Sequence, residues 1–129
     1  MDLITVTRRQ GLEFAIAVRG HEWSSDMAVS DGGQDAAPAP AELLAGSLGA
    51  CIAMMIQAYC DTHGYPGDVE VSMTIELADN PKRIDGIVVD VEVPEGVPEE
   101  KHPVIRRVAE RCVIHETLLN APRMDIEIA

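Results

Sequence analysis

Three cysteines, Cys51, Cys60 and Cys112, are the residues of this chain whose type points most directly to chemistry. A thiolate is a strong nucleophile and metal ligand, and two thiols that meet can form a reversible disulfide. Bridging requires Cα atoms roughly 4.4–6.8 Å apart. On one continuous helix, residues 51 and 60 stand about 13–14 Å apart along the axis and point to opposite faces. Cys51 can then pair only with Cys112, brought in by tertiary packing, or with a cysteine of another chain. The competing reading for each thiol is core packing, because cysteine is among the most buried residue types. Packing is favoured for Cys60, which lies near the helix end outside any second motif.

Other candidate chemistry is weaker. Cys60-Asp61-Thr62-His63 and Cys112-Val113-Ile114-His115 both present Cys-x-x-His, and two such pairs could ligate a tetrahedral metal. That spacing is common by chance, and the site would consume Cys112, so no metal is expected. His21 and His102 sit among polar residues and read as surface histidines, with no nucleophilic serine motif beside them. Gly32-Gly33 lacks the lysine and the glycine spacing of a phosphate loop.

Composition narrows the partners. The net charge is −12, with ten basic residues scattered among twenty-two acidic ones. Nucleic acid and anionic membrane surfaces both need clustered Lys and Arg, so neither is expected. Residues 1–9 lack the basic start and long apolar stretch of a signal peptide. The expectation is a cytoplasmic, reducing compartment in which the cysteines are thiols. A length of 129 residues fits one domain, residues 1–129, which a dimer could supply with additional core.

The elements that must position these thiols follow from periodicity. Residues 2–7 and 12–18 read as a hairpin across Gln10-Gly11, with Leu12, Phe14, Ile16 and Val18 alternating against Glu13, Ala15 and Ala17. A third strand is expected near 21–29, followed by a Gly, Asp and Pro-rich loop to Pro40. From Pro40 the pattern becomes a long helix, with proline in its first turn, Glu42 at the positive end and Gly64 placed to cap the far end. No charged residue lies between Leu43 and Cys60, which brings the segment to the lower limit for a membrane span. Gly46, Ser47, Gly49, Ala50 and Gln57 dilute its apolarity and no basic flank or aromatic belt marks its ends, so it reads as a buried core helix. Leu44, Leu48, Cys51, Ile52, Met55 and Tyr59 form its bulky stripe, and Ala45, Gly46, Gly49, Ala50 and Ala53 a small-residue side.

Residues 69–77 and 83–93 then alternate as two strands around the turn Asp79-Asn80-Pro81-Lys82. Residues 99–112 read as a helix with Val104, Ile105, Val108 and Cys112 on one face. A short segment around 116–120 and a last strand, with Met124, Ile126 and Ile128 alternating against Asp125 and Glu127, complete an α+β order.

Residues 40–51, Pro-Ala-Glu-Leu-Leu-Ala-Gly-Ser-Leu-Gly-Ala-Cys, resemble the P-x-E-L-L-x-x-S-L-x-x-C segment that opens the central helix of the OsmC/Ohr family. Pro81-Lys82-Arg83-Ile84 with Ile87 resembles that family's next hairpin, and residues 112–118 resemble its second-cysteine segment. The three segments occur in family order and extend the resemblance over most of the chain. It implies antiparallel sheets packed around a long central helix, an intertwined homodimer, and active sites at the subunit interface. It further implies Cys51 as a peroxidatic nucleophile toward organic hydroperoxides and Cys112 as the resolving thiol. An external dithiol reductant, lipoyl-bearing or thioredoxin-like, would reopen the Cys51–Cys112 bridge, with no cofactor required.

The family's peroxidases use an arginine held by a glutamate immediately after the motif proline. Here that position is Ala41, and the available acid, Glu42, comes one residue later. Because Cys51 lies well inside its helix, a nearby cation is expected to favour its thiolate. Arg19 is the candidate, with Arg83, Arg106, Arg111 and Arg123 as alternatives. A pocket walled by Leu48, Ile52, Met54 and Met55 would favour an organic hydroperoxide over hydrogen peroxide. The alternative function is a non-enzymatic dimeric small-molecule binder or thiol sensor of the same fold.

Overall fold

Local signals set the element ends in the computed structural model, which describes residues 2–129. The elements run β1 (Thr5–Gln10), β2 (Glu13–Val18), β3 (His21–Ser25), α1 (Pro40–Thr62), β4 (Glu70–Ala78), β5 (Arg83–Glu92), α2 (His102–Glu110) and α3 (Val113–Leu119). This is an α+β fold with a three-stranded antiparallel sheet β1-β2-β3 and a two-stranded antiparallel sheet β4-β5. The chain forms two compact units, Met1–Ala45 and Gly46–Ala129, and the boundary falls inside α1.

In the first unit, Gly11 at φ +52° opens a tight turn that lets β1 continue to Gln10, three residues beyond the expected end. β3 stops at Ser25, not Val29, because the buried Asp26 gathers the chain that follows. The Asp26 carboxylate accepts from the backbone N–H groups of Met27, Gln34 and Ala36. Donation from Ala36 holds its pKa below the ordinary carboxylate value against burial, which pushes it up, and Met27 and Gln34 assist. Phe14 and Ile16, the bulky face of the hairpin, remain only half-buried and line an apolar cavity of about 350 Å³ with Val6, Leu12 and Leu43.

The long helix α1 carries the expected end signals. Pro40 is its first residue, and Glu42 Oε1 accepts the Ala39 N–H at 2.9 Å, which satisfies a donor at the helix start. At its far end Gly64 is left-handed, φ +70°. There the Tyr65 N–H donates to the Cys60 carbonyl and the Gly64 N–H to that of Asp61, the paired bonds of a Schellman cap.

The second unit packs its part of α1 on the β4-β5 sheet. Val71, Met73 and Ile75 are half-buried while Ser72, Thr74 and Glu76 are exposed, the alternation expected of a sheet with one wet face. The core contains Leu48, Ile52, Ile56 and Cys60 of α1 with Val97, Ile105 and Cys112. This buried stripe differs in phase from the expected one: Leu44 and Met55 are exposed, and Ile56 and Cys60 take the interior. Gln57 explains part of the difference, since its amide donates to Asp61 and the Gly67 carbonyl and accepts from the Val69 N–H, tying α1 to the lead-in of β4.

Two expectations fail in this unit. The helix read over 99–112 begins as a 3-10 turn at Glu99–Lys101, is α-helical only over His102–Glu110, and ends before Cys112. Neither glycine nor proline marks the break; Cys112 adopts extended backbone, ψ 135°, and starts α3 instead. The last strand is also absent: residues 121–129 lie outside any helix or strand, with Met124, Ile126 and Ile128 exposed. An alternating pattern makes a strand only where a neighbouring strand receives its backbone groups, and residues 121–129 pair with none.

Candidate active site

The break between α2 and α3 places Cys112 opposite the middle of α1. Cys112 is fully buried at the N-cap of α3, where its Sγ accepts the His115 backbone N–H at 3.5 Å. The His115 ring Nδ1 lies 3.0 Å from the Glu110 carbonyl, which can only accept, so Nδ1 carries the proton. Together these bonds close the corner 110–115 around Cys112.

Cys51, half-buried on α1, meets this corner. Burial raises its pKa, but the Cys112 S–H and the backbone N–H groups of Ile114 and Val113 donate to its sulfur and bring it below the ordinary thiol value of 9.0. Cys112 moves the opposite way: burial and its role as donor to Cys51 raise it, against donation from the His115 and Ile114 N–H groups, and the charge of Cys51 raises it further. The two thiols are thus shifted in opposite directions, Cys51 toward the thiolate and Cys112 toward the thiol. The lowering comes from neutral donors, where the sequence pointed to an arginine.

Cys60 sits fully buried in the core, its pKa raised by burial and by Asp61. Nothing brings it into the pair, and all three cysteines are free thiols. Its motif partner His63 stacks on Tyr59 with ring centroids 4.0 Å apart and binds the Tyr59 carbonyl.

Arg19, Glu42, Arg83 and Arg123 have their own partners. Arg19 occupies the turn between β2 and β3, exposed, with Asp2 at 3.9 Å. Glu42 caps α1 through Ala39, and no hydrogen bond or ion pair joins it to Arg19 among the described residues. Arg83 binds the carbonyls of Asp79 and Pro81 and the Asp85 carboxylate, and Arg123 pairs with Asp125. Arg111 is exposed, as is Arg106, which lines an open cavity of about 820 Å³ with Ile52, Ile56, Val91, Ile105 and His115. Of the four expected wall residues, only Ile52 lines this cavity, and Met54 is 70% exposed.

Sequence reasoning missed the donors from Val113 and Ile114 and the structural part of His115. A signal was available: a polar or sulfur-bearing residue three positions before His115, at the start of a short apolar run, is N-cap spacing as well as ligand spacing.

The model of the family described as OsmC-like protein matches residues 32–127. The chain belongs to the OsmC-like family. No curated protein matches it by sequence. Solved structures share the fold at low identity. One, from Psychrobacter arcticus 273-4, is provisionally described as an osmotic stress induced and detoxification response protein; it has a TM-score of 0.83 at 19% identity, covering 91% of this chain and 88% of that one. An OsmC like protein from Mycoplasma pneumoniae gives 0.77 at 16% identity over 94% and 89%. An organic hydroperoxide resistance protein OsmC from Legionella pneumophila gives 0.64 at 18% identity over 92% and 88%. At these identities the likeness establishes the OsmC fold.

Proposed function

We propose that this OsmC-like chain is a dimeric thiol peroxidase that reduces organic hydroperoxides in the cytoplasm. The observation that carries the reading is the divided thiol pair: Cys51 is lowered by donors from Cys112, Ile114 and Val113, and Cys112 is raised beside it. The Cys51 thiolate attacks the peroxide O–O bond and keeps the terminal oxygen with its proton as sulfenic acid, and the alkoxide leaves, taking a proton from water to become the alcohol. The Cys112 thiol displaces that oxygen as water and forms the Cys51–Cys112 disulfide. A dithiol protein, lipoyl-bearing or thioredoxin-like, takes up the oxidation and restores both thiols. The chemistry needs no metal or organic cofactor. The description of the Legionella protein as an organic hydroperoxide resistance protein supports the substrate class.

The homodimer is part of this reading. The Phe14 and Ile16 face is incompletely filled, and Leu44, Met54 and the tail residues Met124, Ile126 and Ile128 are exposed, as expected of surfaces covered by a second copy. Although α1 is long and apolar enough to cross a bilayer, its Leu48, Ile52, Ile56 and Cys60 stripe is buried in the core, which favours a protein partner over lipid.

The test mixes reduced protein with a stoichiometric organic hydroperoxide in stopped flow and maps the product by mass spectrometry. Fast peroxide loss with a Cys51–Cys112 bridge, abolished in Cys51→Ser, supports the reading. Slow loss without a selective bridge replaces it with the second reading, a binder or thiol sensor. That reading is favoured by Ala41 at the family's glutamate position and by the engagement of Arg19 with Asp2.

A further inference from the structure

The corner that carries Cys112 has one side-chain hydrogen bond across it among the described residues, from His115 Nδ1 to the Glu110 carbonyl at 3.0 Å. The remaining bonds near it run within α3 or along the end of α2: His115 N–H to Cys112 Sγ, Glu116 N–H to the Cys112 carbonyl, Thr117 Oγ1 to that of Val113, Arg111 N–H to that of Val108, and Cys112 N–H to that of Ala109. None of these fixes the direction of α3 relative to the last turn of α2. Yet that direction decides where Cys112 Sγ and the N–H groups of Val113 and Ile114 stand, and all three act on Cys51. Two residues in the corner, Arg111 and Cys112, have left helical geometry, so the backbone alone leaves a pivot there.

We propose that His115 is a positioning residue for the Cys51–Cys112 pair: its ring, tied to Glu110, latches the α2–α3 corner, while its backbone N–H orients the Cys112 sulfur. This rests on the reading of that pair as the reactive site and extends it to a residue that need not touch peroxide. A latched corner loses little freedom when the disulfide closes, so the effective concentration of Cys112 at Cys51 is high. An unlatched corner must be ordered at the moment of bridging.

The experiment is equilibration of the folded protein in glutathione buffers, with the Cys51–Cys112 bridge quantified by acid quenching and mass spectrometry. Glutathione disulfide accepts two electrons and two protons from the thiol pair and leaves as two glutathione thiols, so the reaction is balanced without peroxide. His115→Phe keeps an aromatic ring and removes the donor; its equilibrium constant for bridging is expected to fall about fivefold, the equivalent of one ordinary hydrogen bond. His115→Asn carries an amide N–H near the former Nδ1 and is expected to stay within about twofold of the unmutated protein on the same basis. Loss of overall stability alone would lower the unfolding midpoint of both variants without separating their bridging constants.

Equal constants for His115→Phe and the unmutated protein would overturn the proposal, as would an equal fall in both variants. If His115→Phe does not fold, His115→Gln replaces it, because its amide reaches one bond too far. A fall in His115→Gln with retention in His115→Asn then supports the latch, and equal values overturn it. Absence of peroxide turnover in the unmutated protein would remove the peroxidase reading while leaving this measurement able to decide the role of His115.

Discussion

Cys51 and Cys112 are shifted in opposite directions: burial raises both thiols, but donation from the Cys112 S–H and the Ile114 and Val113 N–H groups brings Cys51 below the ordinary value, while Cys112 stays above it. A symmetric thiol pair would have no built-in order of reaction. Here the half-buried sulfur is the one shifted toward the thiolate, and the fully buried one is shifted toward the thiol.

The donor can be tested by substitution. Alkylation of Cys51 followed against pH should report a midpoint below 9.0 in the unmutated protein, since the thiolate is the reacting form. Cys112→Ser retains an O–H donor and should keep a low midpoint. Cys112→Ala removes the donor and should shift the midpoint upward, slowing alkylation at neutral pH. The check is the rate of modification of the Cys51 peptide by mass spectrometry across pH 5 to 10, and identical midpoints in the serine and alanine variants would contradict the role given to the S–H.

Much of this arrangement was legible in the residues, for identifiable reasons. The bounds of α1 followed from Pro40, Glu42 and Gly64, each of which acts within one turn of a helix end. The alternation of Val71, Met73 and Ile75 gave β4 because one face of its sheet is wet. The helix read over 99–112 failed at Cys112 because its break depends on a sulfur acting as a cap and on a contact sixty-one positions back in the chain, with no local breaker to announce it. The donors to Cys51 were hidden for a related reason: backbone N–H groups have no letter in a sequence. Arg19 carries a charge near the right part of the pattern, and in the chain its ion-pair partner is Asp2.

Two glycines that approach their neighbours closely should respond differently to alanine. A Cβ at Gly33 would collide with the backbone carbonyl of Met27, which is held in the loop by Asp26 and by the Asp35 N–H. A Cβ at Gly49 would meet the sulfur and methyl of Met73, the far end of a flexible side chain. Gly33→Ala should therefore destabilise by roughly 1–3 kcal/mol. Gly49→Ala should stay within about 1 kcal/mol of neutral, because the gain in helix propensity offsets part of the overpacking. Urea midpoints for the two variants, compared at constant m, decide the order.

Asp26 makes stability depend on acidity. Its folded pKa is held below the ordinary carboxylate value of 3.8, so its contribution is present in full above that value and is lost as pH falls through the lower folded one. Asp26→Asn cannot accept from all of Met27, Gln34 and Ala36 with a single oxygen in the same geometry. The variant should unfold at lower urea than the parent at pH 7, and the gap between them should narrow as pH is lowered below 3.8. A gap that stayed constant from pH 7 to pH 2.5 would show that the carboxylate charge is not what organises residues 26–36.

The tail tests the dimer most directly. Ile126 and Ile128 are 87% and 93% exposed, and Arg123, Asp125 and Glu127 alternate with them and Met124, so an added strand would place the three apolar side chains on one face. The sheets β1-β2-β3 and β4-β5 each offer outer edges to which such a strand can pair. Burying an isoleucine contributes roughly 1.5–3 kcal/mol, and a two-fold interface counts each substitution twice. Ile126→Glu should therefore weaken self-association by at least about a hundredfold, shifting a dimer toward monomer in light scattering after gel filtration, while Asp125→Asn should leave the mass unchanged. A parent that is monomeric at micromolar concentration, or an Ile126→Glu variant that remains dimeric there, would place residues 121–129 outside the interface and leave their exposed alternation without a second copy to explain it.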